Sequence, residues 1–214
     1  MLFRSTNIIF LNRDKIKEAL TYSTHLLITA PPDDKGCSIF NKFSSQISAS
    51  NIKSLIYISS TGVYGNHNGD WVDENSLLNA KSQFDKIRVK SEKQWKTFCK
   101  KNNLNLNIVR ISGIYGPQRI IKFNKKKLDV IIKKNHYFSR IHILDAARLI
   151  SKIIIENFNN EIWNLADDFP STRELFLLEA IEIKNIKNFA RIEFEEYEAT
   201  LSDRAKKRSE EHTS

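Results

Sequence analysis

Short apolar runs alternate with amphipathic stretches through the first half of the chain. The apolar runs predict buried strands, and the stretches between them have apolar residues at spacings of three and four, as helices packed on one face do. The predicted strands cover residues 7–11, 24–30, 54–59 and 105–111, and the predicted helices cover residues 14–22, 38–47 and 82–101. Strands that alternate with helices in this way indicate the α/β class, with a mostly parallel sheet between helices on both faces.

The second half continues the pattern with shorter elements. We predict an extended segment, a helix, a strand, a helix and a final strand at residues 139–143, 145–156, 161–165, 172–180 and 191–195. Strands 24–30, 54–59 and 105–111 should be adjacent. No linker separates two independent domains, so a single domain over residues 1–207 is expected.

The predicted helix 82–101 has one apolar stripe. Its members recur at spacings of three and four: Phe84, Ile87, Ser91, Trp95 and Phe98. Such a stripe packs against a sheet, so Phe84 is expected to lie in the core. The lysines on the opposite side of the helix are expected in solvent.

Composition narrows the class of protein. The chain has 214 residues, of which 41% are hydrophobic and 28% charged, which suits a globular domain. Cys37 and Cys99 have neither metal-ligand spacing nor a disulfide framework, so we expect a reducing, cytoplasmic location and no metal site. No apolar run reaches the roughly 18 residues of a membrane span, so no membrane partner is expected.

The chain is basic, with a formal net charge of +9 and a pI near 9.5. A basic nucleic-acid-binding domain is one interpretation of this charge. The positive charges are spread from Lys15 to Lys207 and form no arginine-rich arm, so we expect no nucleic-acid partner.

Residues 58–65, ISSTGVYG, have the pattern of a buried strand that ends in a loop. Ligands of open α/β sheets bind just outside the carboxyl ends of the strands, where Ser59, Ser60 and Thr61 would present hydroxyl groups. The alternative is that small polar residues simply end a strand and begin a turn. Residues 112–117, SGIYGP, follow the next long strand in a similar way, which favours a ligand site.

Four segments together resemble the extended short-chain dehydrogenase/reductases of the NAD-dependent epimerase/dehydratase superfamily. They are ISSTGVYG, RISGIYGP at 110–117, RIHILDAARLI at 140–150 and IWNLADD at 162–168. The S-T-G-V-Y-G string with W-V-D-E after it looks most like the atypical, sugar-nucleotide-epimerase-like branch. The Trp71–Glu74 segment itself is expected to pack back onto the body.

This resemblance implies a Rossmann-like sheet, an NAD or NADP cofactor and a small-molecule substrate such as a sugar nucleotide. It also implies a small C-terminal substrate-side α/β cap, built from about 118–138 and 168–200. Ser60 and Thr61 would orient the substrate, and Tyr64, Arg140 and His142 would lie on the substrate side. The implied cofactor contacts are Ala30, Pro31, Pro32, Ser59, Arg88 and Ile114. A homodimer through the helix 82–101 is a further option for a partner.

Two departures from the family pattern affect the expected activity. The Tyr and Lys of its Y-x-x-x-K motif fall on Phe84 and Arg88, and a phenylalanine cannot transfer a proton. The alternative function is therefore a dinucleotide-binding sensor or scaffold without turnover. In addition, the sequence contains no G-x-G-x-x-G string, whose backbone N–H groups hold a pyrophosphate.

We therefore expect an N-terminally truncated fragment that lacks the first βαβ unit with its glycine loop and binds cofactor weakly. At the other end, residues 208–214, RSEEHTS, match the translation of a common sequencing adapter. The native chain is expected to continue past Lys207 with different residues.

Overall fold

A computed structural model describes residues 15–117, 128–132 and 137–200 of the chain. The helices are α1 Ile16–Tyr22, α2 Ser38–Ser48, α3 Gln83–Lys101, α4 Ile143–Glu156, α5 Arg173–Ile183 and α6 Phe194–Ala199. The strands are β1 His25–Ile28, β2 Ser54–Ser60, β3 Asn105–Ile111, β4 Gly113–Tyr115, β5 Leu128–Ile132, β6 Tyr137–Phe138, β7 Arg140–His142, β8 Ile162–Leu165, β9 Ser171–Thr172 and β10 Phe189–Glu193.

The main sheet has four strands in the order β1-β2-β3-β8, all parallel. Pairings such as Tyr57 with Ile108 and Arg110 with Asn164 set its register. The predicted parallel sheet and the adjacency of its first three strands are confirmed. Because the strands are parallel, their carboxyl ends lie along one edge, where the loops that follow them meet.

Alternating side chains build a separate core on each face of this sheet. Leu55 and Tyr57 of β2 face the core that helices α1, α2 and α3 cover, with Trp95 at its centre. Ile56 and Val109 face the opposite core, which α4 covers. Helices on both faces of a mostly parallel sheet define a Rossmann-like α/β fold.

Smaller strand pairs extend the carboxyl edge. β4 pairs with β7 in parallel, and β6 pairs with β9 in antiparallel, which brings Gly113 beside Arg140 and Phe138 beside Ser171. Strand β5 pairs with β10, and α5 packs on them through a third core around Leu177. Of these elements, β5, β6, β9, β10 and α5 fall within the ranges 118–138 and 168–200 that were expected to form the cap.

Several boundaries differ from the predicted ones. The last strand begins two residues earlier than predicted and gives way to α6, which the sequence pattern did not predict. The predicted strand 7–11 and the segment 208–214 lie outside the described residues. Within the described part, β1 pairs only with β2, and Leu27 on it is 41% exposed. No described helix combines the length and the apolarity that a bilayer crossing requires.

The side chain of Tyr57 lies fully buried in the sheet. Burial, the largest cause, raises its pKa from 10.0 to about 12, and its hydroxyl has no hydrogen-bond partner among the described residues. A folded-state pKa above the unfolded one stabilises the protein below pH 10, and this stabilisation is lost as pH rises through about 12. Two pKa units correspond to about 2–3 kcal/mol.

We therefore expect Tyr57→Phe to leave the free energy of unfolding near pH 7 unchanged or slightly higher, because the unpaired hydroxyl is removed. Urea unfolding across the alkaline range should show the wild type losing stability faster than Tyr57→Phe. Parallel pH curves for the two proteins would contradict this assignment.

Candidate functional site

Strand β2 ends in a tight 3₁₀ turn, Thr61–Tyr64, at the carboxyl edge of the sheet. Ser60 caps this turn, since its Oγ accepts a hydrogen bond from the Gly62 N–H at 3.2 Å. The Ser60 hydroxyl thus retains its own hydrogen for donation to a ligand oxygen. Thr61 is half-buried and lines an adjacent cleft.

The turn packs directly against the first turn of α3. A Cβ built on Gly62 would lie 2.5 Å from Asp85 Oδ1, so any other residue at position 62 would displace the Asp85 carboxylate. Asp85 is held in turn by Ser82, which accepts from the Asp85 N–H and donates to Asp85 Oδ2 at 2.6 Å. The start of α3 is therefore fixed against the end of β2.

Beneath the turn lies a buried ion pair between Arg110 of β3 and Glu92 of α3. Arg110 Nη2 and Glu92 Oε2 are 2.9 Å apart, and each side chain is only 2% exposed. Ser59 donates to Glu92 Oε1 at 2.6 Å, and Arg110 Nη1 donates to the Tyr64 hydroxyl at 2.8 Å. Burial opposes the charge of Arg110, but its bonds to Glu92 and Tyr64 prevail and raise its pKa.

The loop after the turn is attached to this network by Glu74. Its carbonyl accepts from Arg110 Nη1, and its Oε1 accepts from the Asn164 N–H on β8 at 2.7 Å. The Tyr64 hydroxyl donates to Asn164 Oδ1 at 2.7 Å. Glu74 therefore packs onto the body as expected for its segment, whereas Trp71 is 80% exposed, against that expectation.

A cleft of about 930 Å³ opens beside the turn at the carboxyl edge. One wall is the 3₁₀ turn and the loop after it, with Thr61 and Trp71. The opposite wall is formed by the β6–β7 segment and α5, with Arg140 and Arg173. Concave sites with aromatic walls and few charged groups are typical small-molecule sites.

Arg140 is firmly held in this cleft. Its guanidinium carbon lies 4.0 Å from the centre of the Phe176 ring, and Nη1 donates to Ser171 Oγ. Burial, the largest cause, lowers its pKa, while the nearby Asp167 carboxylate acts in the opposite direction. The Arg140 guanidinium is thus a positive charge held in a fixed orientation in the cleft, beside the Ser171 hydroxyl.

Phe84 contradicts the expectation that it packs in the core. It is 49% exposed, although the next residue, Asp85, is buried against Gly62, and Ile87 and Trp95 farther along the helix are buried. The Arg88 guanidinium lies 4.5 Å from the centre of the Phe84 ring, and Arg88 Nε is buried without a partner among the described residues. The two residues at the Tyr and Lys positions therefore form one cation–aromatic pair.

The other predicted site residues differ in how far they are buried. Ser59 and Tyr64, predicted to contact the cofactor and the substrate, are buried with their hydroxyl groups bound inside the protein. His142 caps α4 through Nδ1, which accepts from the Leu144 N–H. After β1, Ala30 is half-buried, Pro31 exposed and Pro32 buried, and Ile114 packs against the second core.

The sequence analysis did not identify several of the residues that line the cleft. Trp71, Tyr137, Arg173 and Phe176 all line the cleft. They come from a loop and from the cap, where no periodicity marks a side chain as ligand-facing. Trp71 belongs to the family-like W-V-D-E string, but an apolar residue within a polar loop is equally typical of a packing residue.

Comparisons with known proteins agree with this arrangement. The profile of the NAD dependent epimerase/dehydratase family matches residues 41–166. A functionally unknown conserved protein from Silicibacter pomeroyi is 32% identical, with a TM-score of 0.77 over 88% of this chain and 66% of that one. A tyrosine-to-phenylalanine variant of UDP-glucuronic acid 4-epimerase from Bacillus cereus, solved with a sugar nucleotide and NAD, is 17% identical with a TM-score of 0.69. It is matched over 83% of this chain and 64% of that one.

The fold and the site thus define a Rossmann-type protein with a cleft at the carboxyl edge of its sheet. The chain belongs to the NAD dependent epimerase/dehydratase family. It spans less than two thirds of the length of these two solved relatives. A Dictyostelium discoideum protein described as a probable serine/threonine-protein kinase is 28% identical over 178 residues, which are 80% of this chain and 12% of that protein.

A second prediction concerns the buried ion pair between Arg110 and Glu92. Arg110→Met leaves the Glu92 carboxylate buried without its cation, and Glu92→Gln leaves Arg110 without its anion, so each should lower the free energy of unfolding by about 3–5 kcal/mol. Urea unfolding measures this loss. Arg148→Met is the matched control, because its ion pair with Asp145 is solvent-exposed and should change stability by about 0.5 kcal/mol or less. Equal losses for the buried and exposed pairs would contradict the role given to Arg110.

Proposed function

We propose that the protein binds NAD(P) and acts on a sugar nucleotide or a similar polar substrate. Family membership supports the cofactor class, and the cleft between Thr61 and Arg140 carries the proposal for the substrate. A half-buried arginine suits a phosphate or carboxylate of the substrate. The Ser60 hydroxyl, already fixed by the Gly62 N–H, suits a substrate hydroxyl or carbonyl oxygen.

Arg88 and Phe84 are the residues that would lie beside the cofactor. Among the described residues, Arg88 Nε is a buried donor without a partner, as a contact to a ribose hydroxyl would require. Phe84 offers an exposed ring beside it. These residues fit a bound dinucleotide, which would supply hydride transfer. The chain's own contribution there is to bind and orient.

Proton transfer is where the described residues depart from the family pattern. Phe84 has no acidic hydrogen, and Arg88 stays protonated in proteins, so this pair cannot pass a proton to a substrate. This observation favours a second function, a dinucleotide-binding sensor or scaffold without turnover. The two functions share the binding residues and differ only in chemistry.

A gain-of-function variant separates these two functions and is the third prediction. In an enzyme limited by the missing acid–base group, Phe84→Tyr with Arg88→Lys should raise turnover by about 100-fold or more, the usual contribution of a general acid–base residue. Turnover is followed by chromatography of the products formed from a panel of sugar nucleotides, with nicotinamide absorbance recording any net oxidation or reduction. Phe98→Tyr on the same helix is the control, since it adds a hydroxyl far along α3 and should leave turnover unchanged.

The possible results distinguish the enzyme from the sensor. Cofactor binding with no turnover in the wild type or the double variant would support the sensor. Turnover that does not rise in the double variant would show that another group transfers the proton. Failure of the protein to bind NAD(P) or any sugar nucleotide in calorimetric titrations would overturn both functions.

A further inference from the structure

Trp71 is an exposed indole held on an anchored loop. The ring is 80% exposed, although the loop is fixed on both sides of it. Before it, the Asp70 N–H donates to the His67 carbonyl at 3.0 Å, and after it Glu74 is bound to Arg110 and Asn164. Asp73 also closes a turn, since its Oδ1 accepts from both the Asn75 N–H and Ser76 Oγ. The indole is therefore presented to solvent by a structured loop.

The loop presents this ring to the cleft. Trp71 lines the cleft together with Tyr137, which is 56% exposed on the facing segment. The two segments approach each other closely, because a Cβ on Gly69 would lie 3.8 Å from Tyr137 Cδ2. The cleft thus has exposed aromatic rings on both of its walls.

The charged groups of the same cleft indicate what else the ligand carries. Arg173 has no ion-pair partner among the described residues, whereas Arg140 lies near the Asp167 carboxylate. Asp70 and His67 also line the cleft. A free guanidinium suits a phosphate, and a carboxylate suits the hydroxyl groups of a sugar.

We propose that Trp71 is a substrate-binding residue that stacks on a ring of a nucleoside or sugar phosphate whose phosphate reaches Arg173. This inference rests on the proposed sugar-nucleotide function and adds to it a specificity residue that lies outside the four family-like segments. An aromatic side chain can cover about 150–250 Å² of surface, so a stacked ring would remove most of the exposed indole from water.

Tryptophan fluorescence and calorimetry test the proposal. The other two tryptophans are less exposed, since Trp95 is fully buried and Trp163 is partly buried against the second core. UDP-glucose should therefore quench the solvent-exposed part of the emission, and Trp71→Phe should abolish this quenching. By calorimetry, Trp71→Ala should weaken UDP-glucose binding by about 10- to 100-fold, within the range of one lost stacking contact. Trp71→Phe should weaken it only a few-fold.

Matched variants and ligands make the result specific. Phe169→Ala is the control, because Phe169 is 82% exposed and lies outside the cleft lining, so binding should stay within two-fold. UDP and glucose 1-phosphate separate the two kinds of ring, since the ligand that loses affinity in Trp71→Ala contains the stacked ring. Arg173→Gln should weaken UDP more than uridine.

Several results would overturn the proposal. Unchanged affinity of Trp71→Ala for UDP-glucose would sink the stacking role and leave the sugar-nucleotide function intact. Quenching by NADH alone would assign Trp71 to the cofactor. If the wild type binds none of the ring phosphates, both the sugar-nucleotide function and this inference fail. Urea unfolding should show equal stability for Trp71→Ala and wild type, since the exposed ring makes little contribution to the fold.

Discussion

The Arg110–Glu92 ion pair is the constraint on which the carboxyl edge of this sheet depends. Two charges that are 98% removed from solvent carry a large desolvation cost, which is recovered only when their remaining hydrogen-bonding groups are also satisfied. Here Ser59, Tyr64 and the Glu74 carbonyl supply those bonds. One buried pair thereby joins two central strands, the long helix α3, the 3₁₀ turn and the loop after it.

This network also explains why the cleft has a defined shape. The Tyr64 hydroxyl and the Glu74 carboxylate both bind Asn164 of β8, so the wall that carries Thr61 is tied to the far strand of the sheet. On the other wall, Arg140 is held between Ser171 and the Phe176 ring. A ligand that enters the cleft meets side chains whose positions are already fixed, which lowers the entropic cost of binding.

The elements that could be predicted from the sequence are those that a local pattern specifies. Alternation of apolar runs and helical stretches predicted the parallel sheet, and a hydroxyl-rich strand end predicted the turn at Ser60. Spacing alone could not place Phe84, because whether the first residue of a stripe is covered depends on which other elements pack against the start of the helix. Likewise, nothing local distinguishes Trp71, which points into solvent, from Glu74, which is bound to Arg110, since both belong to one short string. The position of Glu74 depends on partners 36 and 90 residues away in the chain.

Binding and chemistry are carried by different parts of this site. Thr61, Trp71 and Arg140 line the cleft whether or not residue 84 has a hydroxyl group, because the Arg110 network and the contact of Gly62 with Asp85 hold the turn, and neither involves the Phe84 side chain. Under the proposed function, a phenylalanine at position 84 leaves the cleft in place and provides no group for proton transfer. The Arg88 guanidinium stacks on the Phe84 ring, and among the described residues its Nε has no hydrogen-bond partner, which suits a cation that contacts a ligand. Family membership consequently constrains what this protein binds more tightly than whether it turns a substrate over.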